Sequence, residues 1–147
     1  QLEQLALDEV PALRLALQQA LEALGLGALL RELLHRAFEN ILRNAVRYSP
    51  GDATIDIDLS VTEQRVAITI RDRGPGVPDN ALERIFAPFY RVENSRDEAT
   101  GGTGIGLSLA QRAVLLHRGA IRADNADPGL RVTVELPGNG GPGSISK

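Results

Sequence analysis

The stretch DRGPGVP, Asp72 to Pro78, places one acid and two glycines directly after a run of alternating residues. Val66, Ile68 and Ile70 lead into it at every second position, the period of a half-buried strand. Ile55, Ile57, Leu59 and Val61 alternate with Asp56, Asp58 and Ser60 just upstream, so the two runs predict a hairpin. Beyond the loop, the sequence predicts a short helix near residues 80–85, then a helix in GIGLSLAQRAVLLHRG (104–119) that Gly119 stops. Two more strands follow, AIRADN (120–125) and LRVTVEL (130–136). Upstream, Leu30, Leu33, Leu34, Ala37, Phe38, Ile41, Leu42 and Ala45 have helical spacing over about 29–48, ended by Ser49-Pro50-Gly51. Helices collected beside a mixed, mostly antiparallel sheet predict an α+β fold, a two-layer α/β sandwich, without the strand–helix alternation of a doubly wound sheet.

Outside this region, residues 1–28 are Leu/Ala-rich and read as a helical connector, with Pro11 suited to a first turn and Gly25 and Gly27 to a stop. YRVENSRDEATGGT (90–103) is polar and aperiodic and reads as a mobile surface loop, and 138–147 as a flexible tail. The expected organisation is a connector over 1–28, one domain over 29–137 and the tail.

Composition narrows the function. A chain of 147 residues with 43% apolar content is large enough for one domain with a real core. Its net charge of −3 gives no footprint for nucleic acid. Cysteine is absent, which excludes disulfides and thiolate metal sites. No apolar run approaches the roughly 20 residues that cross a bilayer, so this piece is not expected to insert in a membrane. Of the 16 basic residues only Lys147, at the very end, is lysine, which excludes mechanisms that need a buried one.

A second glycine cluster, TGGTGIGLS (100–108), opens the helix at 104–119, where free amides and the helix dipole favour anions. It is not a dinucleotide fingerprint, because the third glycine of Gly102, Gly104 and Gly106 comes one residue too soon. It is not a Walker A loop either, because Leu107 stands where the lysine belongs before Ser108. A third element is a polar stripe: Asn40, Asn44 and Arg47 lie at i, i+4 and i+7 on one face of an otherwise apolar helix. Two amides beside an arginine suit a magnesium ion, which keeps its waters and takes few protein ligands plus phosphate oxygens. The bland alternatives are a solvated face and ordinary turns, with Glu39 and Arg43 as an i,i+4 surface pair.

Taken together, these stretches resemble the ATP-binding catalytic domain of bacterial sensor histidine kinases, in the gyrase, chaperone, histidine kinase and mismatch-repair ATPase superfamily. ENILRNAVRYS (39–49) resembles the N box, DRGPGVP (72–78) the first glycine box, IFAPFYR (85–91) the F box and GGTGIGLSLA (101–110) the second glycine box. LHRGAIRADN (116–125) and RVTVELP (131–137) are similar to the way such domains end, and the wording of the N box and second glycine box is most like that of Cpx-type envelope-stress sensors. The resemblance covers about 29–137 and implies the Bergerat-type ATP-binding sandwich, with ATP and Mg2+ as ligands.

By this resemblance, Asp72 accepts a hydrogen bond from the adenine amino group, and Gly74 and Gly76 let the backbone approach the base. Asn44 is the implied magnesium ligand, Asn40 supports the phosphates, Arg47 contacts them, and Tyr48 lines the pocket. Gly102, Thr103, Gly104, Ile105, Gly106 and Leu107 form the implied triphosphate loop, Arg91 is a lid candidate for the γ-phosphate, and Thr133 reaches the adenine from its strand or merely faces outward. Phe86 and Phe89 are expected to anchor the lid in the core. The implied reaction is phosphoryl transfer from Mg·ATP to a histidine on a separate dimerisation domain, then to a response regulator.

Neither His35 nor His117 stands in an acceptor motif, and His117 reads as a structural residue at a helix end. Superfamily hydrolases carry a glutamate where this chain has Asn40, and Glu39 lies about 100° around the helix, which favours transfer over hydrolysis. The implied location is a cytoplasmic domain of an inner-membrane sensor. Alternatives on the same fold are an anti-sigma-factor-type serine kinase, against which the PFYR wording argues, and a non-catalytic regulatory module. One departure stands out. The family usually has a strand and a Gly-Asp turn before the N box, whereas Leu13–Leu17 here is either that strand or part of a helix.

Overall fold

The computed structural model describes residues 11–90 and 105–138. Helices α1 (Pro11–Ala23) and α2 (Ala28–Tyr48) come first, followed by the hairpin strands β1 (Asp56–Val61) and β2 (Arg65–Arg71). Two short 3-10 turns, Asp79–Ala81 and Arg84–Phe86, replace the single short helix expected near 80–85. Helix α3 (Gly106–Leu116) and strands β3 (Ala120–Asn125) and β4 (Leu130–Pro137) complete the described chain. The sheet order is β1-β2-β4-β3.

Alternation along the central strands sorts the sheet into two faces. Val66, Ile68 and Ile70 of β2 lie opposite Leu136, Val134 and Val132 of β4, and all six are buried under the helices. The residues between them (Arg65, Ala67, Thr69 and Arg71 on β2, and Arg131, Thr133 and Glu135 on β4) therefore occupy the outer face. Helix α2 covers the inner face with Leu34, Ala37, Phe38, Ile41, Leu42, Ala45 and Val46, and packs along α3, which buries Ala110, Ala113 and Val114. This is the expected sandwich. Its sheet, however, is antiparallel at every described pairing rather than mixed.

The reason lies in α1. Leu13–Leu17 is helical, so no strand ahead of α2 pairs with β1 among the described residues. Pro11 opens the helix where its missing N–H costs nothing, and the leucine, alanine and glutamine content favours helix over strand. Leu17, Ala20, Leu21 and Leu24 form one buried stripe at i, i+3, i+4 and i+7. Leu13 and Leu17 face Phe38, Leu42, Ile57, Leu59, Ile68 and Ile70 across a void of about 20 Å³. Packing of this quality makes α1 part of the core. Leu21→Ala is expected to cost about 2–5 kcal/mol in denaturant unfolding, whereas a cost below about 0.5 kcal/mol would mean that α1 is not docked.

Candidate functional site

Asp72 continues β2 by one residue and remains on the inner face, where it is 3% exposed. Its N–H donates to the Leu130 carbonyl at 3.0 Å, extending the ladder with β4. Oδ1 accepts the Gly74 N–H at 2.9 Å and the Leu130 N–H at 3.0 Å. Both of these bonds fall on one oxygen, so Oδ2 is left for a ligand donor. Burial pushes the carboxyl pKa above its ordinary value, opposed by the Gly74 and Leu130 amides and by the charges of Arg71 and Arg73.

Neighbouring elements hold the first glycine loop from several sides. Ser49 Oγ accepts the Arg73 N–H at 3.0 Å, and the Arg73 guanidinium reaches Asp56 at 2.7 Å. A Cβ at Gly74 would overlap the Tyr48 carbonyl, so the loop touches the end of α2 directly. On the far side, the β3–β4 turn closes against Asp72. Gly129 has φ +98°, and a side chain there would overlap the Asp72 backbone carbonyl. Arg71 donates to the Ala126 and Pro128 carbonyls at 3.4 and 3.0 Å and ties this turn to β2.

The polar stripe of α2 lies against the start of α3. Asn40, Asn44, Arg47 and Tyr48 are all half-buried, while Arg43, on the other side, is exposed. A Cβ at Gly106 would lie 3.7 Å from Asn40 Cβ, so the first turn of α3 opens beside the first asparagine. Ile105 precedes that turn with no side-chain cap, and its carbonyl accepts from Ser108 Oγ at 2.9 Å. The free amides of this turn sit next to the neutral side chain of Asn40 rather than a carboxylate, which leaves the turn open to an anion. Leu107 goes into the core and contributes only backbone to such a site.

The structure therefore brings together Asp72, Gly74, Gly76 and Tyr48 at one end and Asn40 and Gly106 at the other, with Asn44 and Arg47 between them along α2. Arg91, Gly102, Thr103 and Gly104 lie outside the described residues. Thr133 is not brought to Asp72. It sits across from Thr69 and Arg122 on the outer face, and Leu130 is the β4 residue beside the carboxylate.

Phe86 is buried as expected, but Phe89 is 74% exposed at φ 65° and anchors nothing in the core. Glu39 lies 3.9 Å from His35 rather than pairing with Arg43, and is turned away from the asparagine stripe. His117 ends α3, and its pKa is lowered by burial, against the effect of its hydrogen bond to the Pro137 backbone. Burial thus disfavours the charged form that an interaction with the helix dipole would need. Sequence reasoning missed Ser49, Arg71 and Asn125, whose partners are 24, 55 and 48 residues distant in the chain.

Residues 30–140 match the model of the histidine kinase-, DNA gyrase B- and HSP90-like ATPase family, and the chain belongs to that family. Its relatives include the sensor histidine kinase CpxA of Escherichia coli K12, 43% identical over 105 residues, or 71% of this chain and 22% of that protein. The sensor protein PfeS of Pseudomonas aeruginosa is 42% identical over 104 residues, 71% of this chain and 23% of PfeS. Among solved structures, the mycobacterial sensor histidine kinase MprB superposes with a TM-score of 0.67 at 32% identity, covering 74% of each chain. Full-length ShkA in complex with AMPPNP gives 0.58 at 26% identity, covering 74% of this chain and 22% of ShkA. The Cpx-like, histidine kinase-type catalytic domain expected from the four boxes is borne out, and the chain spans less than a quarter of the curated relatives it matches.

Asp72→Asn separates binding from stability. The variant keeps an oxygen for both amides but turns a donor into the space at Oδ2, so affinity for a ligand that offers an amino group there, with ATP as the probe, should fall about 100-fold or more. Because the folded pKa of Asp72 is raised, its favourable contribution to stability is present below the ordinary aspartate range and is lost as pH rises through the raised value. Asp72→Asn should therefore melt higher than the parent at pH 7, by a margin that shrinks on acidification. A variant that melts lower at pH 7 would contradict this account of the carboxyl.

Proposed function

We propose that this chain is the ATP-binding catalytic domain of a two-component sensor histidine kinase. It would pass the γ-phosphate of Mg·ATP to a histidine on a separate dimerisation domain, for relay to a response regulator. The observation that carries this reading is the span of α2. Asn40 meets the opening turn of α3 at Gly106, and eight residues on the Tyr48 carbonyl meets Gly74 of the Asp72 loop. One helix thus joins an anion-binding turn to a carboxylate suited to an exocyclic amine. The family match and the AMPPNP in the ShkA complex support the same ligand.

In this reading Asp72 Oδ2 accepts from the adenine amino group, and the nearby backbone at Gly74 and Gly76 leaves room for the ring. A guanine would present a carbonyl to the carboxylate and be rejected. Asn40, Arg47, Ile105, Gly106 and Leu107, with Arg91, Gly102, Thr103 and Gly104, would hold the triphosphate. Tyr48 would line the pocket.

Asn44 would hold magnesium. The described residues contain no cluster of three or more metal-binding His, Cys, Asp or Glu side chains, so the donor set is neutral amide oxygen, which fits an ion that keeps its waters and shares phosphate oxygens. When bound, the ion neutralises charge on the transferring phosphoryl group. The chain itself contributes positioning and preorganised charge, the two effects that dominate phosphoryl transfer. With Glu39 near His35, no carboxylate of the N box is aimed at a hydrolytic water.

No described helix is long and apolar enough to cross a membrane, and we place this domain on the cytoplasmic side of an inner-membrane sensor by analogy with its relatives.

The test supplies a separate dimerisation domain carrying an acceptor histidine and follows label from γ-labelled ATP. Acid-labile label on that histidine is expected, lowered about 100-fold or more in Asn44→Ala. Label on a serine of an added protein would favour the serine kinase reading. Binding of ATP without any transfer would leave a regulatory module.

A further inference from the structure

We propose that Asn125 is a positioning residue for base recognition, holding the far half of the first glycine loop from the end of β3. The proposal rests on the nucleotide-binding reading above and extends it to a residue outside the four boxes.

Asn125 Oδ1 accepts the Val77 N–H at 2.9 Å, while its Nδ2 donates to the Val77 carbonyl at 2.7 Å and to Asp79 Oδ1 at 3.3 Å. A single side-chain amide thus satisfies both main-chain groups of Val77, as a neighbouring strand would. Gly76, one residue before, has φ +74°, and a Cβ there would lie 2.5 Å from Asn125 Oδ1. The amide fills the space that a side chain at position 76 would need, so the two residues fit only as a pair. In the β3–β4 register Asn125 faces Leu130, the residue whose N–H holds Asp72 Oδ1. Asp72 and Asn125 therefore flank one β4 residue and grip the two ends of the same loop.

The near half of the loop is fixed by the bond from the Gly74 N–H to Asp72 and, from α2, by Ser49 Oγ, which accepts the Arg73 N–H. The far half, Gly76 to Asp79, takes the hydrogen bonds at Val77 from outside, through Asn125. Aspartate in its place would turn an acceptor toward the Val77 carbonyl and the Asp79 carboxylate, and serine is too short to make both bonds. Removing Asn125 should release the base end of the site and leave Asn40, Asn44 and Gly106 where they are.

The experiment compares the unmodified chain with Asn125→Ala and with the nearly isosteric Asn125→Asp, which guards against a variant that does not fold. Affinities for Mg·ATP and for Mg·tripolyphosphate, which lacks the base, are measured by calorimetry and competition. Exchange of the Val77 amide proton is followed by NMR. We expect both variants to bind ATP about 10-fold more weakly, to keep tripolyphosphate affinity within about 2-fold, and to exchange the Val77 proton faster. Unchanged ATP affinity would overturn the proposal, and so would an equal loss for both ligands, which reports general loosening. If the unmodified chain fails to bind ATP, the nucleotide reading falls first, and that failure appears before any variant is compared.

Discussion

The buried carboxylate of Asp72 is the constraint around which this domain closes. An ionised group so shielded from water is costly, and two main-chain amides and two nearby arginines offset only part of that cost, since the carboxyl pKa remains raised. Each partner imposes a condition on the chain. The Leu130 amide requires β4 to begin opposite the end of β2, and the Gly74 amide requires the loop to turn at once. Closure over the aspartate then excludes any side chain at Gly129. Such a strained, under-compensated group is what a binding site retains when a ligand supplies the missing partner.

Helix α2 converts this local constraint into a two-ended site. From Asn40 to the Tyr48 carbonyl the helix rises about 12 Å at 1.5 Å per residue. Its apolar face is locked against the sheet by Phe38, Ile41, Leu42 and Ala45, none more than 4% exposed. The asparagines therefore cannot shift relative to the aspartate loop without opening the core. Rigid support of this kind lets a small domain use binding energy for positioning rather than for ordering itself.

Much of this was legible in the sequence. Alternation gave the hairpin and β4, and helical spacing gave α2, because each of these elements buries one face against a single partner layer. The asparagine stripe and the acid at the strand end were visible for the same reason, since they break an otherwise regular apolar pattern. For Thr133 the two readings were adenine contact and an outward-facing strand position, and the structure gives the second. Leu130, Val132, Val134 and Leu136 are the inward set, and a threonine between them must face outward. Phe89 was expected with Phe86 to anchor the lid in the core, but at its left-handed backbone position it is exposed to solvent. The helix of α1 was one of two open readings, and leucine and alanine propensity indicated the correct one. Asn125 carried no local signal, because it acts on a loop 48 residues earlier in the chain.

The central claim is that one end of the site reads adenine and the other holds a magnesium-bound triphosphate. The most direct measurement is calorimetric titration of the unmodified chain with ATP and with GTP, each with and without magnesium. The account requires micromolar-range, magnesium-dependent binding of ATP, with GTP weaker by about 100-fold or more. Equal affinity for the two nucleotides would contradict the role of Asp72, and no binding of either by the folded chain would contradict the site as a whole.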